Sequence, residues 1–199
     1  MKKIIIYAAL IVIIVSNLVA CQSIDDEKAI MDWTKYNCDV KHLNFVTTIH
    51  IYKSEELIYK ISGEEYLFKS IYDPLKMYTS DGTLVASAGD EYHFISQDSH
   101  AIFDAENTPQ IEMVGEFNIW GESYVLYDKE HNKIGYFIVG GTNTSGKITD
   151  EDGNVVVKYT SFPLFDDYEL YISPECKISD EYAILIFASY FSDFAADDK

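Results

Sequence analysis

The sequence predicts a mainly β domain, in which an antiparallel β-barrel of hairpins surrounds one central hydrophobic C-terminal helix. Apolar and polar residues alternate with a period of two from Leu43 onward, as on strands with one buried face. Polar turns led by aspartate recur at a nearly constant spacing between strand-like segments. The last long segment, residues 180–196, contains neither Gly nor Pro and is apolar on every side from Tyr182 to Phe191.

The first 20 residues predict a secretory signal peptide. Two lysines precede an apolar stretch from Ile4 to Val15, and residues 18–21 have the sequence Leu-Val-Ala-Cys. This ending resembles a bacterial lipobox, whose cysteine receives a diacylglyceryl group before a peptidase cuts in front of it. The resemblance implies lipidation of Cys21, export, and anchoring to the extracytoplasmic face of the bacterial membrane. The alternative is an uncleaved transmembrane helix, but residues 4–20 barely reach the roughly 20 apolar residues that a span needs.

The mature chain is expected to be strongly acidic. The full sequence has a net charge of −18, and cleavage would leave 13 lysines against 33 acidic residues, a charge near −20. All 15 basic residues are lysine, so the chain lacks the guanidinium fork that commonly binds phosphate. This charge argues against nucleic acid and against anionic lipid headgroups as partners.

The two remaining cysteines, Cys38 and Cys176, lie near the two ends of the predicted domain. An exported protein occupies a compartment that permits disulfides, and a bridge across so long a loop would add about 4 kcal/mol in the chain-entropy description. Two buried free thiols, acting as small apolar groups, are the alternative. The sequence leaves both open.

The elements can be placed in order along the chain. Residues 21–42 are predicted to be a lipidated tether, with a short helix through Ile30 and Trp33, and residues 43–199 to form the barrel domain. After the first period-two segment, further strands are expected at residues 57–62, 66–72 and 76–79.

Four polar turns then follow, led by Asp81, Asp104, Asp128 and Asp152 at spacings of 23, 24 and 24 residues. Each lies between two strand-like segments, and Asp-Gly is a strong hairpin signal because Gly accepts a positive φ. Four such turns in register predict a meander of hairpins within one barrel.

The C-terminal segment predicts a helix that Ser179 or Asp180 caps, with Glu181 favourable in its first turn. Because it is apolar all round and too short to span a bilayer, it is expected to lie in the core. The predicted core side chains are Tyr182, Ile184, Leu185, Ile186, Phe187, Tyr190 and Phe191.

Residues 118–193 carry a resemblance to a known fold family. They contain a hairpin around Asp128, a second hairpin around Gly153, an Asp-Tyr strand from Asp167 and the apolar helix from Asp180. This order resembles the Tubby C-terminal-like fold, especially the LURP-one-related and phospholipid-scramblase-like families. The resemblance implies a barrel around a central helix, contact with phospholipid or phosphoinositide, and no catalytic signature.

The sequence offers little catalytic or metal-binding chemistry. Asp150, Asp152 and Asn154 resemble a fragment of a calcium loop, but position 12 of that loop is Ser161 instead of a bidentate Glu, so a polar turn is favoured. The five histidines show no zinc-ligand spacing, and no Gly-x-Ser-x-Gly nucleophile motif occurs. We therefore expect neither a metal nor a cofactor.

These observations favour a non-enzymatic, membrane-anchored lipoprotein that binds or scaffolds an unknown protein or lipid ligand. Two alternatives remain. One is a metal-dependent hydrolase that uses carboxylates clustered in a concave pocket. The other is an immunity or sequestration lipoprotein for a cationic partner, which the acidic chain would attract.

Overall fold

The computed structural model describes residues 30, 32–43, 46–64, 75–90, 99–116, 121–140, 145–161 and 167–197. The chain divides into two compact units, Met1–Trp33 and Thr34–Lys199. In the first unit, the Trp33 N–H donates to the Ile30 carbonyl at 3.0 Å, which forms a single turn. The predicted lipidation residue Cys21 and the strand expected at residues 66–72 lie outside the described residues.

The second unit contains every strand and the long helix of the described part of the chain. These elements are β1 (Thr34–Leu43), β2 (Val46–Lys53), β3 (Glu56–Glu64), β4 (Leu75–Thr79), β5 (Leu84–Asp90), β6 (Ser99–Asp104), β7 (Pro109–Glu116), β8 (Gly121–Asp128), β9 (Lys133–Gly140), β10 (Ser145–Thr149), β11 (Val155–Ser161), β12 (Tyr168–Ile172) and α1 (Asp180–Asp197).

The twelve strands form a closed antiparallel barrel, as the sequence predicts. Each strand pairs with its neighbours in the chain, and β1 closes the ring by pairing with β12. In that closing pair, Thr34 lies opposite Ile172 and Cys38 lies opposite Tyr168. Closure gives the first and last strands a partner on both sides and so removes the free edges of an open sheet.

The barrel begins earlier than predicted. Strand β1 starts at Thr34, inside the segment that we expected to be a tether ending at residue 42. Buried and exposed side chains alternate along this strand, since Tyr36 and Cys38 are buried while Lys35 and Asn37 are exposed. The outward positions of β1 are so polar that this segment resembles a linker in sequence. The boundary at residue 43 was therefore wrong, and the segment between Cys21 and the barrel is residues 22–33.

Helix α1 lies inside the barrel. Residues 183–188 have no exposed surface on any side of the helix. The Phe187 ring packs at 4.9 Å from the Phe137 ring of β9 and at 5.5 Å from the Tyr159 ring of β11. The helix also contacts β5, β6 and β12. Because these strands are distributed around the ring, the helix occupies the interior that they enclose.

The predicted core of the helix is largely confirmed. Ile184, Leu185, Ile186 and Phe187 are fully buried, and Tyr190 is 5% exposed. Tyr182 is partly buried against the same core. The side chain of Phe191 lies outside the described part of the structure. Each large apolar side chain that is fully buried contributes about 1.5–3 kcal/mol of transfer free energy.

Strand number explains why the helix is needed. A barrel of about eight strands has an interior that side chains alone can fill, and the diameter grows with each added strand. A ring of twelve strands is wider, so inward side chains from opposite walls would leave a void. Helix α1 supplies the missing apolar volume.

Four hairpins share one five-residue turn, found at residues 79–83, 104–108, 128–132 and 150–154. In each turn the N–H of position 1 donates to the carbonyl of position 5, and the N–H of position 4 donates to the carbonyl of position 1. Position 4 has a positive φ in every case and is occupied by Gly82, Asn107, His131 and Gly153. A register shift in the strand pair precedes each turn, as expected of a bulge next to a hairpin loop.

The hairpin repeat is therefore confirmed, but its predicted spacing was too regular. Asp104 and Asp128 occupy position 1 of their turns, whereas Asp81 and Asp152 occupy position 3. The equivalent first residues are Thr79, Asp104, Asp128 and Asp150, at spacings of 25, 24 and 22 residues. Where two aspartates lie near one turn, the sequence does not show which of them caps the turn, because either carboxylate can bond to the backbone.

None of the helices that the structure describes combines the length and the apolar character that crossing a membrane would require.

Candidate functional site

A polar cluster lies at the end of the barrel where helix α1 begins. Ser179 caps this helix, because its Oγ accepts from the Tyr182 N–H at 3.4 Å and its carbonyl accepts from the Ala183 N–H at 2.9 Å. Asp180 and Glu181 follow in the first turn, where negative charge interacts favourably with the helix dipole.

Two tyrosines from the barrel wall hold these two carboxylates. The Tyr36 hydroxyl of β1 donates to Asp180 Oδ2, and the Tyr59 hydroxyl of β3 donates to Glu181 Oε1 at 2.7 Å. Strands β1 and β3 flank β2, so the helix end is fixed to two strands of the ring. We call Tyr36, Tyr59, Asp180 and Glu181 the tyrosine–carboxylate cluster.

The two phenols of the cluster are hydrogen-bond donors, and the two carboxylates are their acceptors. Burial, followed by the hydrogen bond to Asp180, raises the pKa of Tyr36 well above its usual value, and burial with Glu181 does the same for Tyr59. Burial raises the pKa of Glu181, but hydrogen bonds from Tyr59, its own N–H and Ser179 outweigh burial and lower it. The phenols therefore stay protonated at neutral pH, and their hydrogen bonds to Asp180 and Glu181 attach the helix end to the barrel wall.

One cation lies beside the cluster. The Lys53 ammonium is 5.5 Å from the centroid of the Tyr36 ring, within the range of a cation–π contact. The same pairing recurs outside the cluster, where Lys133 lies 4.4 Å from the Tyr136 ring centroid and Lys35 lies 5.7 Å from that of Tyr171. Three tyrosines of the described strands therefore lie within cation–π range of a lysine of the same protein.

Cys38 and Cys176 are free thiols in the structure, so of the two alternatives it shows unbridged cysteines. The register of the closing strand pair explains the separation. Cys38 lies opposite Tyr168 of β12. Ile172 lies about 13 Å from Tyr168 along the same strand, and Cys176 follows after Ile172 in the chain. A disulfide needs Cα atoms within about 7 Å. Proximity to the two sequence ends did not bring these cysteines to the same level of the barrel.

Burial lowers the reactivity of both thiols. It raises the pKa of Cys38, an effect that a hydrogen bond with Tyr168 only partly offsets, and it also raises the pKa of Cys176. The thiolate is the reactive form of cysteine, and a raised pKa depletes it at neutral pH. These residues therefore serve the packing of the barrel.

The candidate calcium residues form a polar hairpin turn. Asp150 Oδ1 accepts from the Asn154 N–H at 2.8 Å, and its Oδ2 accepts from Asn154 Nδ2 at 2.9 Å. These bonds, the side-chain bond first, lower the pKa of Asp150. Asp152 lies exposed on the same turn. Within the described ranges, no three His, Cys, Asp or Glu side chains come together in a way that could hold a metal ion.

Three histidines of the described residues each pack against a tyrosine. His50 on β2 packs edge-on against Tyr52, and His100 on β6 packs edge-on against Tyr124. His131 lies in the turn between β8 and β9, where it stacks on Tyr127 at 4.7 Å. His93 lies outside the described residues. The structure therefore does not gather these three rings into one site.

Sequence reasoning did not find the tyrosine–carboxylate cluster. A signal for it did exist, because Tyr36 occupies an inward position of β1, and a buried tyrosine hydroxyl normally requires a partner. The partner lies 144 residues further along the chain, at the start of α1. Only the closure of the barrel brings these two positions together.

No protein-family model, curated protein or solved structure matches the chain. The fold class is confirmed by the barrel and its internal helix, whereas membership of the LURP-one-related or Tubby-like families stays a prediction.

Proposed function

We propose that this chain is an exported lipoprotein that lipid on Cys21 tethers to the extracytoplasmic face of the bacterial membrane. The observation that carries the proposal is the Leu-Val-Ala-Cys sequence at residues 18–21, which follows a short basic segment and an apolar stretch. Lipidation with two or more acyl chains gives stable anchoring, which a single chain does not.

In this proposal the barrel is a non-enzymatic binding or scaffolding module. Helix α1 and the inward side chains fill the interior, and their burial supports contact with a ligand at the outer strand surfaces and the rims. The protonated phenols of the tyrosine–carboxylate cluster, each hydrogen-bonded to a carboxylate of helix α1, support a structural role for this cluster. The partner would be a protein or lipid of the cell envelope.

The short segment between the lipid anchor and the barrel is consistent with such a module. Residues 22–33 separate Cys21 from strand β1, and a chain of that length spans at most about 40 Å when fully extended. A barrel on so short a tether would remain close to the membrane surface. Its ligands would then be molecules found in that layer.

The test compares the wild type with Cys21→Ala and, as a matched control, Cys176→Ala, each expressed at full length in a bacterium that processes lipoproteins. We expect wild type and Cys176→Ala to lose residues 1–20, to fractionate with membranes and to carry diacylglyceryl mass on Cys21. Cys21→Ala should stay at the precursor mass without lipid. A processed, membrane-bound Cys21→Ala protein, or a wild type without lipid on Cys21, would show that the anchoring proposal is wrong.

A further inference from the structure

Two identical Asp-Gly pairs occupy equivalent places in two turns of this barrel. Asp81-Gly82 and Asp152-Gly153 fill positions 3 and 4 of turns 79–83 and 150–154. The glycines have φ of +90° and +87°, and their N–H groups donate to the position-1 carbonyl at 3.0 and 3.1 Å. Both pairs are exposed. The backbone environment of the two pairs is therefore matched.

The two aspartate carboxylates are not matched. Asp81 Oδ1 accepts from the Thr79 hydroxyl and from the Thr83 N–H at 3.3 Å, so Asp81 caps its own turn. In the other turn Asp150 provides the cap from position 1, and its Oδ1 accepts from the Asn154 N–H at 2.8 Å. Within the described ranges, no side chain forms a hydrogen bond or an ion pair with the Asp152 carboxylate. In these two turns the aspartate at position 3 caps the turn where position 1 is Thr79, and it does not where position 1 is Asp150.

We propose that Asp152-Gly153 is a site of spontaneous aspartate isomerisation in the folded protein, and that the cap in the first turn protects Asp81-Gly82. In this reaction the Gly153 backbone nitrogen attacks the side-chain carboxyl carbon of Asp152. A C–N bond forms, and the amide proton leaves with the carboxyl hydroxyl as one molecule of water. Water then adds to either carbonyl of the resulting cyclic imide and cleaves one C–N bond, which returns aspartate or yields isoaspartate.

Hydrogen bonding to the carboxylate slows this reaction in two ways. The attack requires the carboxyl group to rotate onto the following nitrogen, and a carboxylate that accepts two hydrogen bonds is held in place. The leaving hydroxyl requires the protonated acid, which hydrogen bonds to the ionised form make rarer. The bonds from Thr79 and then Thr83 lower the pKa of Asp81, in agreement with the geometry.

Isomerisation would act on one hairpin of the barrel. Isoaspartate adds one methylene to the main chain between Asp152 and Gly153, which displaces the position-4 residue from its bond to the Asp150 carbonyl. This turn joins β10 to β11, so the change would loosen the end of that strand pair. An exported protein that is not replaced quickly would accumulate it with age.

The experiment is a peptide map of the purified full-length protein after prolonged incubation at neutral pH. Electron-transfer fragmentation distinguishes isoaspartate from aspartate in each peptide. We expect isoaspartate to accumulate at residue 152 several-fold faster than at residue 81 in the folded protein, and at similar rates at both in denaturant. Equal rates in the folded protein, or no isoaspartate at residue 152, would overturn the proposal.

Two exchanged variants test the role of position 1. Thr79→Asp introduces the residue found in the other three turns, so it should free Asp81 and raise its isomerisation to the rate at residue 152. Asp150→Thr should let Asp152 take over the cap and slow its isomerisation. Circular dichroism checks that each variant folds. Rates that follow neither exchange in folded variants would show that the cap does not control the reaction.

Discussion

Gly135 illustrates how one residue sets the distance between two neighbouring strands of the barrel. It lies buried in β9, opposite Leu126, with φ of +153°. A Cβ at this position would lie 2.0 Å from the Thr149 carbonyl oxygen of the next hairpin. Backbone atoms cannot yield as a flexible side chain can, so the close approach of these two segments requires a glycine.

Replacement of Gly135 by alanine should therefore destabilise the protein. We expect Gly135→Ala to lower the free energy of unfolding by about 2–4 kcal/mol, because backbone strain and overpacking each cost about 1–3 kcal/mol. Gly82→Asn is the matched control, since Gly82 faces open space and its turn position is held by Asn107 elsewhere. Urea unfolding measures both, and similar midpoints for the two variants would contradict this role of Gly135.

The sequence predicts the roles of such residues only in part. An Asp-Gly pair indicates a turn, and the turn at Gly82 follows from local chemistry alone. Gly135 gives no such local indication, because the atom that it must avoid belongs to Thr149 of the next strand, β10, and comes close only when β9 and β10 pair. Tyr36 gives no local indication of its partner either, because Asp180 lies at the other end of the domain.

Among the elements, helix α1 depends most on the strands around it. Its first turn presents Asp180 and Glu181 to hydroxyls from β1 and β3, while its middle turns are buried among aromatic rings. A helix that is apolar on all sides gains nothing from solvent and is stable only within such an enclosure. The hydrogen bonds at its first turn thus fix its depth and rotation.

Loss of the Tyr59 hydroxyl should weaken this attachment. We expect Tyr59→Phe to lower the unfolding free energy at neutral pH by about 1–3 kcal/mol, because it leaves a partly buried carboxylate without its donor. The matched control is Tyr171→Phe, whose hydroxyl donates to Glu169 at 2.6 Å on the outer surface. A change within about 0.5 kcal/mol is expected for this surface pair. Equal losses in the two variants would contradict a special role for the helix end.

The advantage of the wild type over Tyr59→Phe should also depend on pH. The pKa of Glu181 is lowered from 4.5, so its contribution is present above that value and is lost as the pH falls below it. The pKa of Tyr59 is raised above 10.0, so its contribution is present below that value and is lost at higher pH. Unfolding free energies measured across pH should show a plateau between these values, and an advantage that persists unchanged at pH 3 would contradict the pairing.

Elements differ in how well sequence predicts them. The helix and the hairpins follow from strong local patterns, an uninterrupted apolar segment and repeated turn residues. Strand β1 does not, because charged and amide side chains occupy its outward positions and hide the alternation of Tyr36 and Cys38. A strand whose outward side is highly polar is hard to distinguish from a linker until its partner, here β12, is known.

At the scale of the whole molecule, a ring of twelve strands and its internal helix require each other. The ring is too wide to be filled by side chains alone, and the helix is too apolar to lie in water. The repeat and the helix predicted this architecture together, whereas neither would have done so alone. Our proposal that ligands bind on the outside also rests on it, because the interior is occupied.

The most direct test of this architecture is amide hydrogen exchange of the folded full-length protein, read by mass spectrometry. If helix α1 lies within the ring, its residues 183–188 can exchange only when the barrel opens. We predict that their exchange requires the same free energy as that of β5, β9 and β11, near the global unfolding free energy. Exchange of residues 183–188 at a much lower free energy, while these strands stay protected, would place the helix outside the barrel and contradict this account.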